Sequence, residues 1–248
     1  MRSYLLLIFS LCPVLLFPQT QAFITDTLQF NSEILKETRN IIVIKPTNMS
    51  GHDPVKVLYM TDGEFSAYRV QKWMEKNGNC LTNLIAVGIV NTDRRRDLLY
   101  VKGANNFLEF LASELIPAIE KDYTCKKRIL FGHSFGGSFA IYAMLNKPEY
   151  FNCYIASSPT PIMDLIQKEN YVKMDSEMKS QVDFYLSYGS NDMKQVIKWA
   201  DILNGNLTGI SFTNLNWHFN VFEGADHNTS DIPALFEAAV IARSQINH

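Results

Sequence analysis

Ser134 stands in Gly132-His133-Ser134-Phe135-Gly136-Gly137, a G-x-S-x-G run preceded by the apolar stretch Ile129-Leu130-Phe131. A strand entering such a run and a helix leaving it form a nucleophile elbow, which presents a serine hydroxyl on a tight turn. Glycines two residues either side of the serine suit a turn that leaves no room for a Cβ. The outgoing helix aims its first N–H groups at the same spot, where an oxyanion would form.

A serine hydroxyl is a weak nucleophile at neutral pH and needs a base to take its proton; histidine suits that task. Of five histidines, His133 is confined beside the serine and is expected to point away from it. His218 lies in the strand-like Leu215–Val221 run, opposite its apolar face, and reads as structural. His52 sits in a turn and His248 is the last residue. His227 follows an apolar run and Gly224, where it is free to reach back, and is the candidate base.

An acid must hold the imidazole tautomer and stabilise the imidazolium. Asp192 follows the run Val182–Tyr188 in the turn Gly189-Ser190-Asn191-Asp192. It could instead cap the helix that starts near Lys194. Glu223 and Asp226 flank His227 and remain alternative acids, although sequence neighbours rarely reach an imidazole side-on. Ser134, Asp192 and His227 fall in the chain order of α/β-hydrolase triads. Two oxyanion donors are expected: the backbone N–H of Phe135, after the serine, and that of Glu64, in Thr61-Asp62-Gly63-Glu64 after the run Val55–Met60. Asp62 reads equally as a turn residue or as part of the chemistry.

These residues need elements to position them, and the pattern supplies an alternation of strand and helix. Asn40–Ile44, Val55–Met60, Leu84–Val90, Ile129–Phe131, Tyr154–Ser157, Val182–Tyr188 and Leu215–Phe222 are short apolar runs of strand character. Helical spacing occupies Ser66–Lys76, Asn106–Tyr123, Gly137–Leu145, Lys194–Leu203 and Pro233–Ile246, with Asn106 and Glu109 placed like a capping box. Continuously apolar strands separated by helices imply a mostly parallel sheet covered on both faces. Ligands bind outside the carboxyl ends of such strands, which is where every candidate above lies.

The first 22 residues read as a secretory signal: Arg2, an apolar core over Tyr4–Phe17 broken by Pro13, then Thr20-Gln21-Ala22 with cleavage expected after Ala22. Residues 23–248 then form one catalytic domain, secreted or periplasmic, with no membrane span in the mature chain. A net charge of −2 offers no footprint for nucleic acid, and Arg94-Arg95-Arg96 is balanced by Asp93 and Asp97. Cys80 and Cys125 could pair, or Cys80, Cys125 and Cys153 could all stay free; their spacing does not resemble a zinc site, and no metal or cofactor is expected. Sequons occur at Asn48, Asn206 and Asn228; a glycan at the third would crowd His227, which favours an unglycosylated protein.

Val57-Leu-Tyr-Met-Thr-Asp-Gly-Glu64, Asn91-Thr-Asp-Arg-Arg-Arg-Asp-Leu98, the block from Phe107 through Glu114-Leu-Ile-Pro117 to Gly132–Gly137, and Ser158-Pro159 together resemble the esterase D-like (putative-esterase) family of α/β hydrolases. That family includes siderophore esterases, feruloyl esterases, S-formylglutathione hydrolases and mycolyltransferases. The resemblance implies Ser134 as nucleophile, His227 as base, Asp192 as acid and the N–H groups of Glu64 and Phe135 as oxyanion hole. It also implies that Arg94 and Arg96 lie on the substrate rim. Where many siderophore-esterase-like members carry Ser-Leu-Trp-Trp after Ser-Pro, this chain has Thr160-Pro161-Ile162-Met163-Asp164. Residues 160–181 are too short for a large lid. The expected activity is hydrolysis of a small-molecule carboxylic ester through an acyl-enzyme, with a siderophore or feruloyl-type substrate. An acyltransferase or a catalytically silent binding module on the same fold are the alternatives.

Overall fold

The computed structural model describes residues 22–49, 54–77 and 83–235. The segment expected to be a signal, apart from Ala22, lies outside the described residues, as do His52, Cys80, His248 and the end of the helix expected over Pro233–Ile246.

Eight strands form one sheet in the order β1-β2-β4-β3-β5-β6-β7-β8. They are β1 (Phe23–Ser32), β2 (Glu37–Pro46), β3 (Val55–Met60), β4 (Leu84–Ile89), β5 (Cys125–His133), β6 (Cys153–Ser157), β7 (Val182–Gly189) and β8 (Leu215–Phe222). The pairs β1–β2 and β2–β4 are antiparallel. From β4 through β3 to β8 every neighbour is parallel. The expected α/β sheet is therefore present, extended by an N-terminal hairpin.

Helices cover both faces. Val55, Val57 and Tyr59 of β3 face one core, with α3 (Ala104–Phe110), α5 (Phe135–Asn146) and α7 (Lys194–Leu207). Leu58 and Met60, one residue out of phase, face a second core with α1 (Gly63–Asn77) and the helical run at residues 231–235. All six residues of β4 are buried, as a two-sided strand requires. Each buried aliphatic side chain contributes about 1.5–3 kcal/mol, so the central strands anchor the loops at their ends.

Several elements depart from the sequence reading. The hairpin strand β1 was not foreseen, because most of its residues are exposed and no apolar alternation marks it. The helix expected over Asn106–Tyr123 starts two residues earlier, at Ala104. Gly103 is its N-cap and no side-chain cap is made, so the capping-box reading of Asn106 is corrected. That helix also widens into a π turn, Leu111–Leu115, before α4 (Ile116–Glu120). Pro117 has no N–H to return to the preceding turn, which accounts for the widening. Glu114 in the π turn then accepts hydrogen bonds from Ser32 Oγ (2.5 Å), Glu33 N (3.0 Å) and Ile34 N (3.1 Å), fastening the β1–β2 turn. Between β6 and β7, α6 (Lys168–Glu177) packs on α5 and α7 as part of the helical layer and forms no large lid.

Candidate active site

Strand β5 ends at His133, α5 begins at Phe135, and Ser134 alone makes the turn with φ 58° and ψ −118°. A non-glycine residue with positive φ is uncommon and signals a constrained position. Three backbone–backbone bonds hold it: Ser134 N donates to Ser157 O (3.0 Å), and Ser134 O accepts from Ser138 N (3.1 Å) and Thr160 N (3.2 Å). A Cβ on Gly132 would strike the backbone of Gly136, and one on Gly136 would strike Thr61 Oγ1. The glycines of the elbow are thus demanded by close approach.

Ser134 Oγ lies 3.1 Å from His227 Nε2, and His227 Nδ1 lies 2.8 Å from Asp192 Oδ1. The elbow follows β5, Asp192 follows β7, and His227 follows β8 after Gly224, whose φ of 75° turns the chain back. The Asp192 side chain has no solvent exposure and that of His227 is 21% exposed. A buried carboxylate on Nδ1 places the proton there and leaves Nε2 to accept from the serine. Asp192 Oδ1 also accepts from Met193 N (2.7 Å), the residue that precedes α7. Of the alternative acids, Asp226 is engaged locally by Asn228 N (2.9 Å) and Thr229 Oγ1 (2.8 Å).

The His133 ring packs on the His227 ring, with centroids 4.7 Å apart, and its Nδ1 lies 3.4 Å from Ser157 Oγ. The expectation that His133 points away from the site is corrected: the ring buttresses His227. Burial, and next the neighbouring His227, push the His133 pKa down to about 4. His218 stacks on Tyr185 at 4.6 Å, as a structural residue would.

The turn after β3 is built around Asp62, with φ 55°. Its carbonyl accepts from Phe65 N and Ser66 N, both at 2.9 Å, which opens α1. The N–H of Glu64 lies in that first turn and the N–H of Phe135 heads α5, positions where no helical carbonyl is available to accept. Neither N–H therefore has a partner within its own helix. The Asp62 carboxylate takes a two-pronged bond from Arg94 (Nε 2.5 Å, Nη2 3.0 Å) and a third from Asn91 Nδ2 (2.6 Å). Asn91 also donates to the Glu64 carboxylate through Nδ2 (2.7 Å) and its backbone N (3.0 Å). The Arg94 guanidinium lies 4.8 Å over the Phe135 ring, joining the turn after β3 to the elbow.

Arg96, expected on the rim, is committed elsewhere: it bonds Glu37 (Nη2–Oε1 2.8 Å) and Asp97 (Nε–Oδ1 2.7 Å). Those carboxylates also hold the fully buried Arg39, at 2.6 Å from Glu37 and 2.5 Å from Asp97. Through that cluster β2 secures α2 (Arg94–Leu98), a short helix capped by Asp93 that no apolar spacing marks in the sequence. Ser158 and Ser230, both buried beside Asp192, also escaped sequence reading. The Ser158-Pro159 motif was the one available signal.

Cys125 and Cys153 are free thiols, and burial pushes them up to about 11 and about 12. Among the described residues no cluster of His, Cys, Asp or Glu could hold a metal ion. No described helix is long and apolar enough to cross a membrane.

A hydrogen-bonded Ser–His–Asp chain at the carboxyl ends of parallel strands, in a sheet of this order, defines an α/β-hydrolase fold with the layout of a serine hydrolase. Solved structures agree on the fold. The BES protein from Bacillus cereus superposes with a TM-score of 0.76 at 23% identity, covering 87% of this chain and 93% of that one. An IroE-like serine hydrolase from Shewanella oneidensis gives 0.75 at 24% identity, covering 87% and 78%. In sequence, residues 32–242 match the family described as "Putative esterase". Among curated proteins, the ferri-bacillibactin esterase BesA of Bacillus subtilis is 30% identical over 256 residues, covering 87% of this chain and 88% of that protein. A siderophore triacetylfusarinine C esterase of Aspergillus fumigatus is 39% identical over a shorter stretch of 61 residues. The chain belongs to this esterase family, serine hydrolases that act on ester bonds.

Proposed function

We propose that this protein is an exported serine esterase that opens the ester bonds of a siderophore. The observation that carries the reading is His227, with Nε2 at 3.1 Å from Ser134 Oγ and Nδ1 at 2.8 Å from Asp192. The siderophore assignment rests on the relative matched along most of its length, a ferri-bacillibactin esterase. The export assignment rests on the signal-like residues 1–22.

In this reading Ser134 Oγ attacks the ester carbonyl while its proton passes to His227 Nε2. The N–H groups of Glu64 and Phe135 receive the oxyanion, and losing one such donor costs about 10²–10³ in kcat. Asp192 stabilises the imidazolium. The tetrahedral intermediate collapses, the bond to the alkoxy oxygen breaks, and His227 returns its proton to the leaving alcohol. Water, deprotonated by His227, then attacks the acyl-enzyme and releases the acid and free Ser134.

The test is fluorophosphonate labelling of Ser134 combined with a panel of catecholate trilactone, feruloyl and short-chain p-nitrophenyl esters. Ser134→Ala and His227→Ala should abolish turnover with little change in melting temperature, and Asp192→Ala should lower kcat by about 10⁴. A folded protein that leaves Ser134 unlabelled would overturn the enzymatic reading. Preference for feruloyl over trilactone esters would overturn the siderophore assignment alone.

A further inference from the structure

The triad chain uses one oxygen of Asp192, yet the buried carboxylate has two. Oδ2 accepts from Ser158 Oγ at 2.5 Å. A serine hydroxyl carries one proton and two lone pairs. With its proton given to a carboxylate that only accepts, Ser158 must accept from Ser230 Oγ, 2.7 Å away. Longer contacts continue the row, from Ser230 Oγ to Ser157 Oγ at 3.5 Å and from Ser157 Oγ to His133 Nδ1 at 3.4 Å. His133 in turn packs on the ring of His227. The donors therefore converge on Asp192 from two sides, through His227 on Oδ1 and through hydroxyls on Oδ2.

Local structure shows that both hydroxyls are directed there. Ser158 leaves β6 in a left-handed conformation, φ 46°, with its N–H fixed to Ser187 O at 2.7 Å. Ser230 precedes the helical run at residues 231–235 and its carbonyl accepts from Ala234 N. A serine in that place ordinarily turns its hydroxyl to the N–H of the second or third helical residue. Here the third is Pro233, which has no N–H, and the hydroxyl turns to Ser158 instead. Both serines are fully buried.

We infer that Ser158 and Ser230 are positioning residues of the triad, a two-hydroxyl arm that fixes the rotation of the Asp192 carboxylate and draws part of its charge away from His227. The inference rests on the reading of Ser134, His227 and Asp192 as the reacting set. Without the arm the carboxylate is free to rotate, and its undiluted charge favours the imidazolium. His227 would then have to be freed of its proton at higher pH before it could act as base. The other groups facing this pair are His133 on the His227 ring, Asp62 with its partner Arg94, Arg69 near the His227 loop, and Asp226 beside it. All stay unaltered in the variants below.

The experiment is the second-order rate of fluorophosphonate labelling of Ser134 across pH, with kcat and KM for p-nitrophenyl acetate. Ser158→Ala should label about ten- to a hundredfold more slowly, as expected for loss of one hydrogen bond to a charged group. Its acid limb should move to higher pH, and kcat should fall more than KM changes. Ser230→Ala should shift the limb in the same direction by less, and Ser230→Thr, which keeps the hydroxyl, should restore it. A folded Ser158→Ala protein whose acid limb does not move overturns the inference, whatever its rate. If that variant does not fold, an unmoved limb in Ser230→Ala overturns it equally. A wild-type protein that takes no label at Ser134 instead removes the underlying reading.

Discussion

His133 occupies the elbow position beside Ser134, yet its ring supports His227 and its charge state bears on stability. Burial depresses its pKa from 6.5 to about 4. Between those values the unfolded chain binds the proton and the native one does not, so stability falls as pH drops from about 6.5 to about 4 and is complete above that window. The loss is up to about 3 kcal/mol, since one pKa unit is worth about 1.4 kcal/mol. Urea titrations at pH 7 and pH 4.5 should show the drop, and His133→Gln should reduce it; an equal drop in both proteins would discard this account. Sequence reading reached Ser134, His227 and Asp192 because each residue type has a chemistry and each follows an apolar strand. It misplaced the His133 ring because a spacing pattern carries no rotamer. It left the acid open among Asp192, Glu223 and Asp226 because only distance between β7 and β8 separates them. The Arg96 side chain was equally illegible: its partner Glu37 is brought to it by β2 pairing with β4, a long-range event.

At the scale of elements, the loop that carries His227 is tied to α1. Arg69 donates through Nη1 to Asn228 O (3.1 Å) and pairs through Nη2 with Asp231 (2.6 Å), bracketing the loop between His227 and the final helical run. Burial raises the Asp231 carboxyl and Arg69 opposes that rise. Arg69 is 40% exposed, so the pair adds little to global stability. Its effect is local alignment: Arg69→Ala should lower kcat by about ten- to a hundredfold while the melting temperature moves by only a few degrees. An unchanged kcat would show that the loop holds its own shape. The strands over 55–222 were legible because two-sided burial writes itself as continuous apolar runs. The hairpin strand β1, the short α2 and the polar α6 were not, since each keeps much of its surface in water and none carries a continuous apolar run.

For the molecule as a whole, β1 opens at Phe23, one residue past Ala22, so removal of a signal there would leave every β1 residue in place. Intact-mass analysis of protein secreted or exported by its native host should give a mature N-terminus at Phe23; a retained Met1 would reject export by cleavage. The sheet order has a further consequence, in time rather than in space. The parallel strands β5, β6, β7 and β8 lie side by side in chain order, and each delivers one residue to the hydrogen-bonded row: Ser134, Ser158, Asp192 and His227. A chain still being synthesised can therefore complete most of its sheet while it lacks a base, and the hydroxyl of Ser134 stays inert until the last strand docks. Reactivity therefore waits on β8 and on the loop that brings His227 back to Ser134.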